Sequence, residues 1–411
     1  MTTDAQPHNA NPSRFSVHPL RILLASSGIS LIILALAADL LPDSAAGLGV
    51  YQVSALIIGA GILLVSLLIR KLPVLIAAVI GIGAAASPPV VDHFYDPPRS
   101  LWAQEDEALR HMAPDPRLGQ VIPPNTGGHD ALGFRNDSVP DHADMVTLGD
   151  SQTWSANAPR DKAWPSVLAE LTGQTVYNMG MPGYGPVHYW VLTGDALAQF
   201  DPDTILVGFY FGNDFYGAYN MAYTFEPYYE FRDETLVNSL TQARESIADQ
   251  SERTYTNMER LRYTGDTNST ILLPQYRLIG VNLDDPRIAE GLRISQVMLG
   301  QIADLVNAAD KRLIVVLVPT KELAYAPLIA PPLDPMYQQL VDMENETRAA
   351  LMGFMDERGI EYVDSLLPLQ DHLVQGEAMY LTTPDGHPAP AGYRVIAAMV
   401  ADYLQTDPVA D

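Results

Sequence analysis

Short apolar runs alternate with amphipathic stretches from residue 144 to the end of the chain, and this alternation constrains the fold most strongly. Residues 145–148, 204–211 and 312–318 are rich in aliphatic and β-branched side chains and are followed by Gly or Pro, which predicts buried strands. Residues 187–200 and 287–309 have the spacing and length of helices. Strands that alternate with helices predict a parallel sheet covered on both faces, with its functional site at the carboxyl ends of the strands.

The alternation continues in shorter elements and is interrupted once. We predict further strands at 175–177 and 361–363 and further helices at 164–171, 336–358 and 391–404. Between about residues 215 and 286 no period is visible, which indicates an insertion over or beside the site. Its aromatic residues have two interpretations, packing onto the sheet or stacking on sugar rings: Tyr216, Tyr219, Tyr223, Phe225, Tyr228, Tyr229 and Phe231.

Three long apolar runs occupy the first part of the chain, at residues 20–41, 51–69 and 72–91. Each has about the 20 residues that cross the hydrocarbon layer of a bilayer. We therefore predict a three-helix transmembrane anchor over residues 20–92, preceded by a disordered cytoplasmic tail at 1–19. A Pro-rich connector at 93–143 would then lead to the α/β domain at 144–411, and the lipid bilayer is one expected partner.

Basic residues predict the orientation of this anchor. Arg14 and Arg21 flank the start of the first run, and Arg70 and Lys71 separate the second from the third. The positive-inside rule places both groups in the cytoplasm. The prediction is a multi-pass protein of the cell (inner) membrane, with its N-terminus cytoplasmic and its α/β domain periplasmic or extracellular.

Composition excludes several function classes. The formal net charge is −25, with 49 acidic and 24 basic residues, so the chain repels nucleic-acid phosphates and we expect no nucleic-acid partner. The chain has no cysteine, which excludes disulfides, thiolate catalysis and Cys-type zinc sites. His387 has no further ligand at metal-binding spacing, and we expect neither a metal nor another cofactor.

Four short blocks follow predicted strands or precede the last helix. They are Gly-Asp-Ser at residues 149–151, a Gly-rich loop at 178–185, Gly-Asn-Asp at 212–214 and Asp-Gly-His at 385–387. Each alone is commonly a cap or a turn. Together they supply a hydroxyl, backbone N–H groups, an amide donor and a base, which are the parts of a serine nucleophile with an oxyanion hole.

The chain order of these blocks resembles the SGNH/GDSL hydrolase family over about residues 130–405. Leu-Gly-Phe-Arg at 132–135 and Val-Pro-Thr-Lys at 318–321 look like features of membrane-attached or exported members. The resemblance implies a flavodoxin-like three-layer SGNH hydrolase domain at 144–411 with the insertion at about 215–286, preceded by the three transmembrane helices.

The same resemblance implies the roles of individual residues. Ser151 would be the nucleophile, His387 its general base and Asp385 the carboxylate that orients His387. The N–H groups of Ser151 and Gly183 and the side chain of Asn213 would form the oxyanion hole. The family usually has two residues between Asp and His, whereas this chain has one glycine. Two alternatives therefore stay open, a Ser-His-Asp triad with a shortened turn and a Ser-His dyad oriented by a backbone carbonyl.

Three functions are compatible with these residues. The first is hydrolysis of an acyl ester on an envelope glycan or lipid through a Ser151 acyl-enzyme. The second is O-acyl transfer to a polysaccharide hydroxyl, which would require a membrane partner protein to supply the acyl group. The third is a non-catalytic glycan-binding or assembly module, which the complete Ser, Asn and His set disfavours.

Overall fold

The computed structural model describes residues 19–37, 50–69, 72–87, 108–240 and 258–406. Residues 1–18 of the tail predicted at 1–19, and parts of the predicted anchor, connector and insertion, lie outside these ranges. So do Arg14, Arg70 and Lys71, on which the orientation depends. The chain divides into two compact units, residues Met1–Ser100 and Leu101–Asp411, which are described separately.

The helices of the first unit pack closely against each other. They are α1 (Pro19–Ala37), α2 (Val50–Leu68) and α3 (Leu72–Ala85). A Cβ atom added at Gly28 would lie 2.6 Å from the carbonyl oxygen of Gly59, so glycine allows the close approach of α1 and α2. The guanidinium of Arg21, near the start of α1, donates to the carbonyl of Ser66 near the end of α2, so these helices are antiparallel.

The prediction of three transmembrane helices is wrong. Among the described residues, one helix is long and apolar enough to cross a membrane, over Leu20–Ala37 with a mean hydropathy of 2.2. The apolar parts of α2 and α3 are shorter, Gln52–Leu68 and Val74–Ala85. The run counted from the sequence extends to residue 91, but the helix ends at Ala85 and its 14 residues rise about 21 Å, short of the ~30 Å required. The length and composition of α1 suit a signal anchor or a membrane span.

The second unit contains the following elements. The strands are β1 (Ala113–Asp115), β2 (Gly119–Val121), β3 (Met145–Gly149), β4 (Val176–Asn178), β5 (Thr204–Tyr210), β6 (Leu261–Thr264), β7 (Ser269–Leu272), β8 (Arg312–Val318) and β9 (Glu361–Asp364). The α-helices are α4 (Ser151–Trp154), α5 (Trp164–Thr172), α6 (Pro186–Phe200), α7 (Asp214–Thr224), α8 (Pro274–Val281), α9 (Pro286–Ala308), α10 (Lys321–Tyr325), α11 (Pro335–Arg358), α12 (Leu366–Val374) and α13 (Pro390–Thr406).

A parallel five-stranded sheet of order β4-β3-β5-β8-β9 organises this unit. Numbered along the chain, its strands lie in the order 2-1-3-4-5, which is the flavodoxin-like arrangement. The predicted α/β class with a parallel sheet is confirmed. The strand order reverses at β3, and in open α/β sheets ligands bind at such a point beyond the carboxyl ends of the strands.

Alternate side chains of the central strands enter two separate cores. In β5, Leu206 packs with α5 and α13 on one face of the sheet. Its neighbours Ile205 and Val207 pack on the opposite face, where α6, α9 and α11 lie. Because side chains alternate across a strand and both faces are covered, every residue of β5 is buried. The result is the three-layer arrangement of helix, sheet and helix.

The segment predicted as an insertion is partly regular. Its described part contains α7, the antiparallel hairpin β6–β7 and α8, while residues 241–257 lie outside the description. Tyr219 and Tyr228 are buried, and Tyr228 and Phe231 contact Trp190 of α6 edge-on. Packing therefore accounts for these aromatic side chains. Residues 108–143, part of the predicted connector, are irregular apart from the short β1–β2 hairpin and one 3₁₀ turn.

Candidate active site

Ser151 is the first residue of α4, directly beyond the carboxyl end of β3. Asp150 caps this helix by accepting a hydrogen bond from the N–H of Gln152 at 2.8 Å. A Cβ atom at Gly149 would lie 2.0 Å from the Thr153 hydroxyl oxygen, so glycine is needed for α4 to sit directly on the end of the sheet. The turn thereby holds the Ser151 side chain at the sheet edge.

Arg135, from the Leu-Gly-Phe-Arg motif, stabilises this turn through hydrogen bonds to its carbonyl groups. Its buried guanidinium donates to the carbonyl oxygens of Trp154 and Ala158, both at 2.7 Å, and of Ser155 at 3.0 Å. It also lies 4.1 Å from the centre of the Trp154 ring. Trp154 is the last residue of α4, and Ser155 and Ala158 follow it, so Arg135 satisfies carbonyl groups at the end of this helix and stabilises the turn.

The structure brings Ser151, His387 and Asp385 together. His387 Nε2 lies 2.7 Å from Ser151 Oγ, and His387 Nδ1 lies 2.7 Å from Asp385 Oδ1. An ionised carboxylate only accepts hydrogen bonds, so the proton is on Nδ1 and Nε2 accepts from the Ser151 hydroxyl. Asp150 Oδ2 is a more distant alternative acceptor, 3.4 Å from Ser151 Oγ. This geometry allows His387 to take the hydroxyl proton of Ser151.

The one-glycine spacing therefore places Asp385 within reach of the imidazole. Asp385 Oδ1 accepts from the backbone N–H of His387 at 2.7 Å as well as from its ring. Burial works against ionisation, but these bonds and the attraction of the His387 ring hold the pKa of Asp385 below its ordinary value. The carboxylate stays charged in mildly acidic solution.

Two side chains that the sequence analysis did not assign hold the short turn. Asn157 donates from Nδ2 to Asp385 Oδ1 at 3.0 Å and to the carbonyl of His387 at 3.1 Å. The buried Lys321 donates from Nζ to the carbonyls of Asp385 at 2.7 Å and Thr383 at 2.9 Å. Burial lowers the pKa of Lys321 to about 8. The Val-Pro-Thr-Lys motif thus fixes the loop that carries His387.

The predicted oxyanion-hole residues follow the carboxyl ends of three neighbouring strands, β3, β4 and β5. Gly183 has φ +85°, a left-handed conformation that favours glycine, and is exposed. Within the described part of the chain, the N–H groups of Ser151 and Gly183 make no hydrogen bond. Asn213 comes directly before α7, and its side chain lies against Asp150. Burial raises the pKa of Asp150, although the Gln152 N–H, His387 and Asn213 act in the opposite direction.

Comparison with known proteins agrees with this arrangement. Residues 147–395 match the model of the GDSL-like Lipase/Acylhydrolase family, and these residues include all four blocks. Among curated proteins, none matches the chain by sequence.

Three solved structures illustrate the similarity. An acetylxylan esterase from Geobacillus stearothermophilus, solved as a catalytic mutant, is 13% identical, with 66% of this chain and 97% of that chain covered and a TM-score of 0.36. A GDSL-like lipase from Bacteroides thetaiotaomicron is 12% identical, with coverages of 64% and 87% and a TM-score of 0.32. A member of the lipolytic G-D-S-L family from Veillonella parvula is 12% identical, with coverages of 64% and 97% and a TM-score of 0.31.

The fold and the family match together define a serine hydrolase that acts on ester bonds. The family model covers more than half of the 411 residues. The chain belongs to the GDSL-like lipase/acylhydrolase family, and its α/β unit is an SGNH-type domain.

Proposed function

We propose that the protein is an esterase that removes an acyl group from a glycan or lipid of the cell envelope. The observation that carries this proposal is the continuous hydrogen-bonded chain from Ser151 Oγ through the His387 ring to Asp385. As Ser151 Oγ attacks the ester carbonyl, His387 Nε2 accepts its proton and then gives it to the departing alcohol. Water, deprotonated by His387, attacks the acyl-enzyme and releases the acid and Ser151.

The oxyanion of each tetrahedral intermediate requires donors aimed at one point. We assign this role to the N–H groups of Ser151 and Gly183 and to the side-chain amide of Asn213. The support for this assignment is the position of the three residues. They follow β3, β4 and β5, which are adjacent in the sheet. The buried Asp150 lies beside both Asn213 and Ser151 and so links two of these positions.

Hydrolysis and transfer differ in what attacks the acyl-enzyme. A hydrolase admits water, whereas a transferase holds an acceptor hydroxyl at high effective concentration. With the full chain in detergent, an activated acetyl ester and a panel of glycans, we expect free acetate to be the main product in every mixture, as measured by mass spectrometry. Capture of most acetyl groups by one glycan at millimolar concentration would contradict hydrolysis. It would favour an O-acyltransferase working with a membrane partner.

We further propose that α1 attaches the enzyme to the membrane, with the SGNH-type domain outside the cytoplasm. The length and hydropathy of α1 support attachment, and Arg14 and Arg21 at the start of this run support a domain outside the cytoplasm. We expect the full chain to stay with membranes after alkaline carbonate extraction, and a variant lacking residues 1–100 to enter the soluble fraction. Recovery of the full chain in the soluble fraction would contradict this.

A further inference from the structure

Helix α8, from the segment predicted as an insertion, lies against two loops of the site. A Cβ atom added at Gly280 would lie 2.1 Å from the carbonyl oxygen of Gly212, in the loop that carries Asn213. A Cβ atom added at Gly386 would lie 2.0 Å from Nη2 of Arg277, in the loop that carries His387. Positions 277 and 280 are neighbours on the surface of one helix. The helix therefore places the Arg277 guanidinium beside His387.

The Arg277 cation has two carboxylate neighbours, Glu322 and Asp385, but its hydrogen-bond donors are not satisfied by them. Its side chain is 11% exposed, and Nε lies 3.4 Å from Oε2 of the fully buried Glu322 without a hydrogen-bond geometry. Within the described residues, Nη1 and Nη2 make no hydrogen bond, and the Tyr276 ring contacts the cation from 4.9 Å. Lys321 differs, because its ammonium has oxygen atoms at 2.7, 2.8, 2.9 and 3.2 Å.

A nearly buried cation with unused donors is unfavourable unless a ligand completes its hydrogen bonds. The planar fork of an arginine matches a carboxylate or a phosphate, which it binds through two parallel bonds. We propose that Arg277 is a specificity-determining residue that binds an anionic group on the alcohol part of the ester substrate. The alcohol part is assigned because His387, beside Arg277, protonates the departing alcohol, so this inference rests on the proposed function.

Two classes of ester substrate carry an anionic group on their alcohol part. One is a glycan with a uronic-acid carboxylate close to the acylated hydroxyl. The other is an acylated polyol phosphate, as found in lipid headgroups and phosphate-linked polymers. The chain's overall charge of −25 repels both, so recognition of an anion requires a local cation such as Arg277.

The experiment compares substrates that differ by one charge. The acetyl esters of methyl glucoside and methyl glucuronide form one pair, and those of glycerol and glycerol phosphate form the other. In the wild type we expect kcat/KM to be higher for the charged member of at least one pair, and that pair identifies the source. Arg277→Gln should lower this charged-to-neutral ratio by about 10- to 100-fold through KM, the size expected for charge-assisted hydrogen bonds.

A structural role of Arg277 predicts a different result. If the guanidinium only stabilises Glu322 and the Gly386 turn, Arg277→Gln lowers kcat/KM for both members equally and leaves the ratio unchanged, which overturns the inference. Arg277→Lys keeps the charge but loses the fork, and we expect an intermediate ratio. Arg262→Gln, at an exposed arginine of β6, is the matched control and should keep the wild-type ratio.

A binding measurement tests this inference independently of the proposed esterase reaction. Methyl glucuronide and glycerol phosphate are titrated calorimetrically into Ser151→Ala protein and into the Ser151→Ala, Arg277→Gln double variant. Anion binding that only the first protein shows supports the inference even if the wild type hydrolyses none of the four esters, in which case the proposed function alone fails. Equal binding by both proteins, or binding by neither, overturns it.

Discussion

Ser151→Ala is expected to lower kcat for p-nitrophenyl acetate by about 10⁴- to 10⁶-fold while the protein stays folded. The loss is large because Ser151 Oγ is the proposed nucleophile and no other hydroxyl is placed 2.7 Å from His387 Nε2 in the described structure. The fold should be unaffected, since Ser151 Oγ is only part-buried and its bonds are to His387 and Asp150. Kinetics and the thermal midpoint of the purified variant check the two statements.

Two controls make the assignment specific. Ser239→Ala removes an exposed serine and should leave activity unchanged. Asn213→Ala removes one proposed oxyanion donor and should lower kcat by about 10²- to 10³-fold with little change in KM. Mass mapping after fluorophosphonate labelling should find the modification on Ser151, and a label on another residue, or wild-type turnover in Ser151→Ala, would refute the proposed mechanism.

The central sheet could be predicted from the sequence because its inner strands, β3, β5 and β8, are buried on both faces. β8 has the predicted bounds, 312–318, and β5 differs from its prediction by one residue. A fully apolar run bounded by Pro or Gly leaves few other structures available. The loops of the site followed from the sheet, since the carboxyl ends of parallel strands lie on one edge.

The supporting residues of the site could not be predicted, because their roles come from contacts between distant parts of the chain. Asn157 and Asp385 are 228 positions apart, and Lys321 reaches both the hairpin β6–β7 and the catalytic loop. Neither an asparagine in a loop nor a lysine after a strand has a local pattern that indicates such a contact. Arg277 was missed for the same reason, since the segment around it has no period.

The prediction of three spans was wrong because the length of an apolar run is only an upper limit on the length of a helix. Residues 72–91 carry no charge, yet α3 ends at Ala85 and is followed by a turn. The spacing of Asp385 and His387 also left the choice between a triad and a dyad open. Spacing along the chain gives the separation of two residues, whereas the direction of the His387 ring depends on the bonds from Asn157 and Lys321 that hold the turn.

Asp385→Ala is expected to lower kcat by about 10⁴-fold, the size of loss known for a serine triad whose aspartate is replaced by an asparagine that favours the wrong tautomer of the histidine. Asp385→Asn should be milder. Asp385 Oδ1 accepts from the His387 backbone, the His387 ring and Asn157, so an asparagine oxygen is held at that place and the correct tautomer survives.

Only the negative charge is then missing from Asp385→Asn, and a charged hydrogen bond exceeds a neutral one by about 1–2 kcal/mol, or roughly 5- to 30-fold in kcat. The measured order of kcat should be wild type, Asn, Ala, with thermal midpoints recorded to exclude unfolding. Because the pKa of Asp385 is lowered, the order should persist in mildly acidic buffer, where the wild-type carboxylate is still ionised. Activity of Asp385→Ala within tenfold of the wild type would instead establish a Ser-His dyad. Such a small loss is what removal of a solvent-screened electrostatic interaction between the Asp385 carboxylate and the His387 ring would produce.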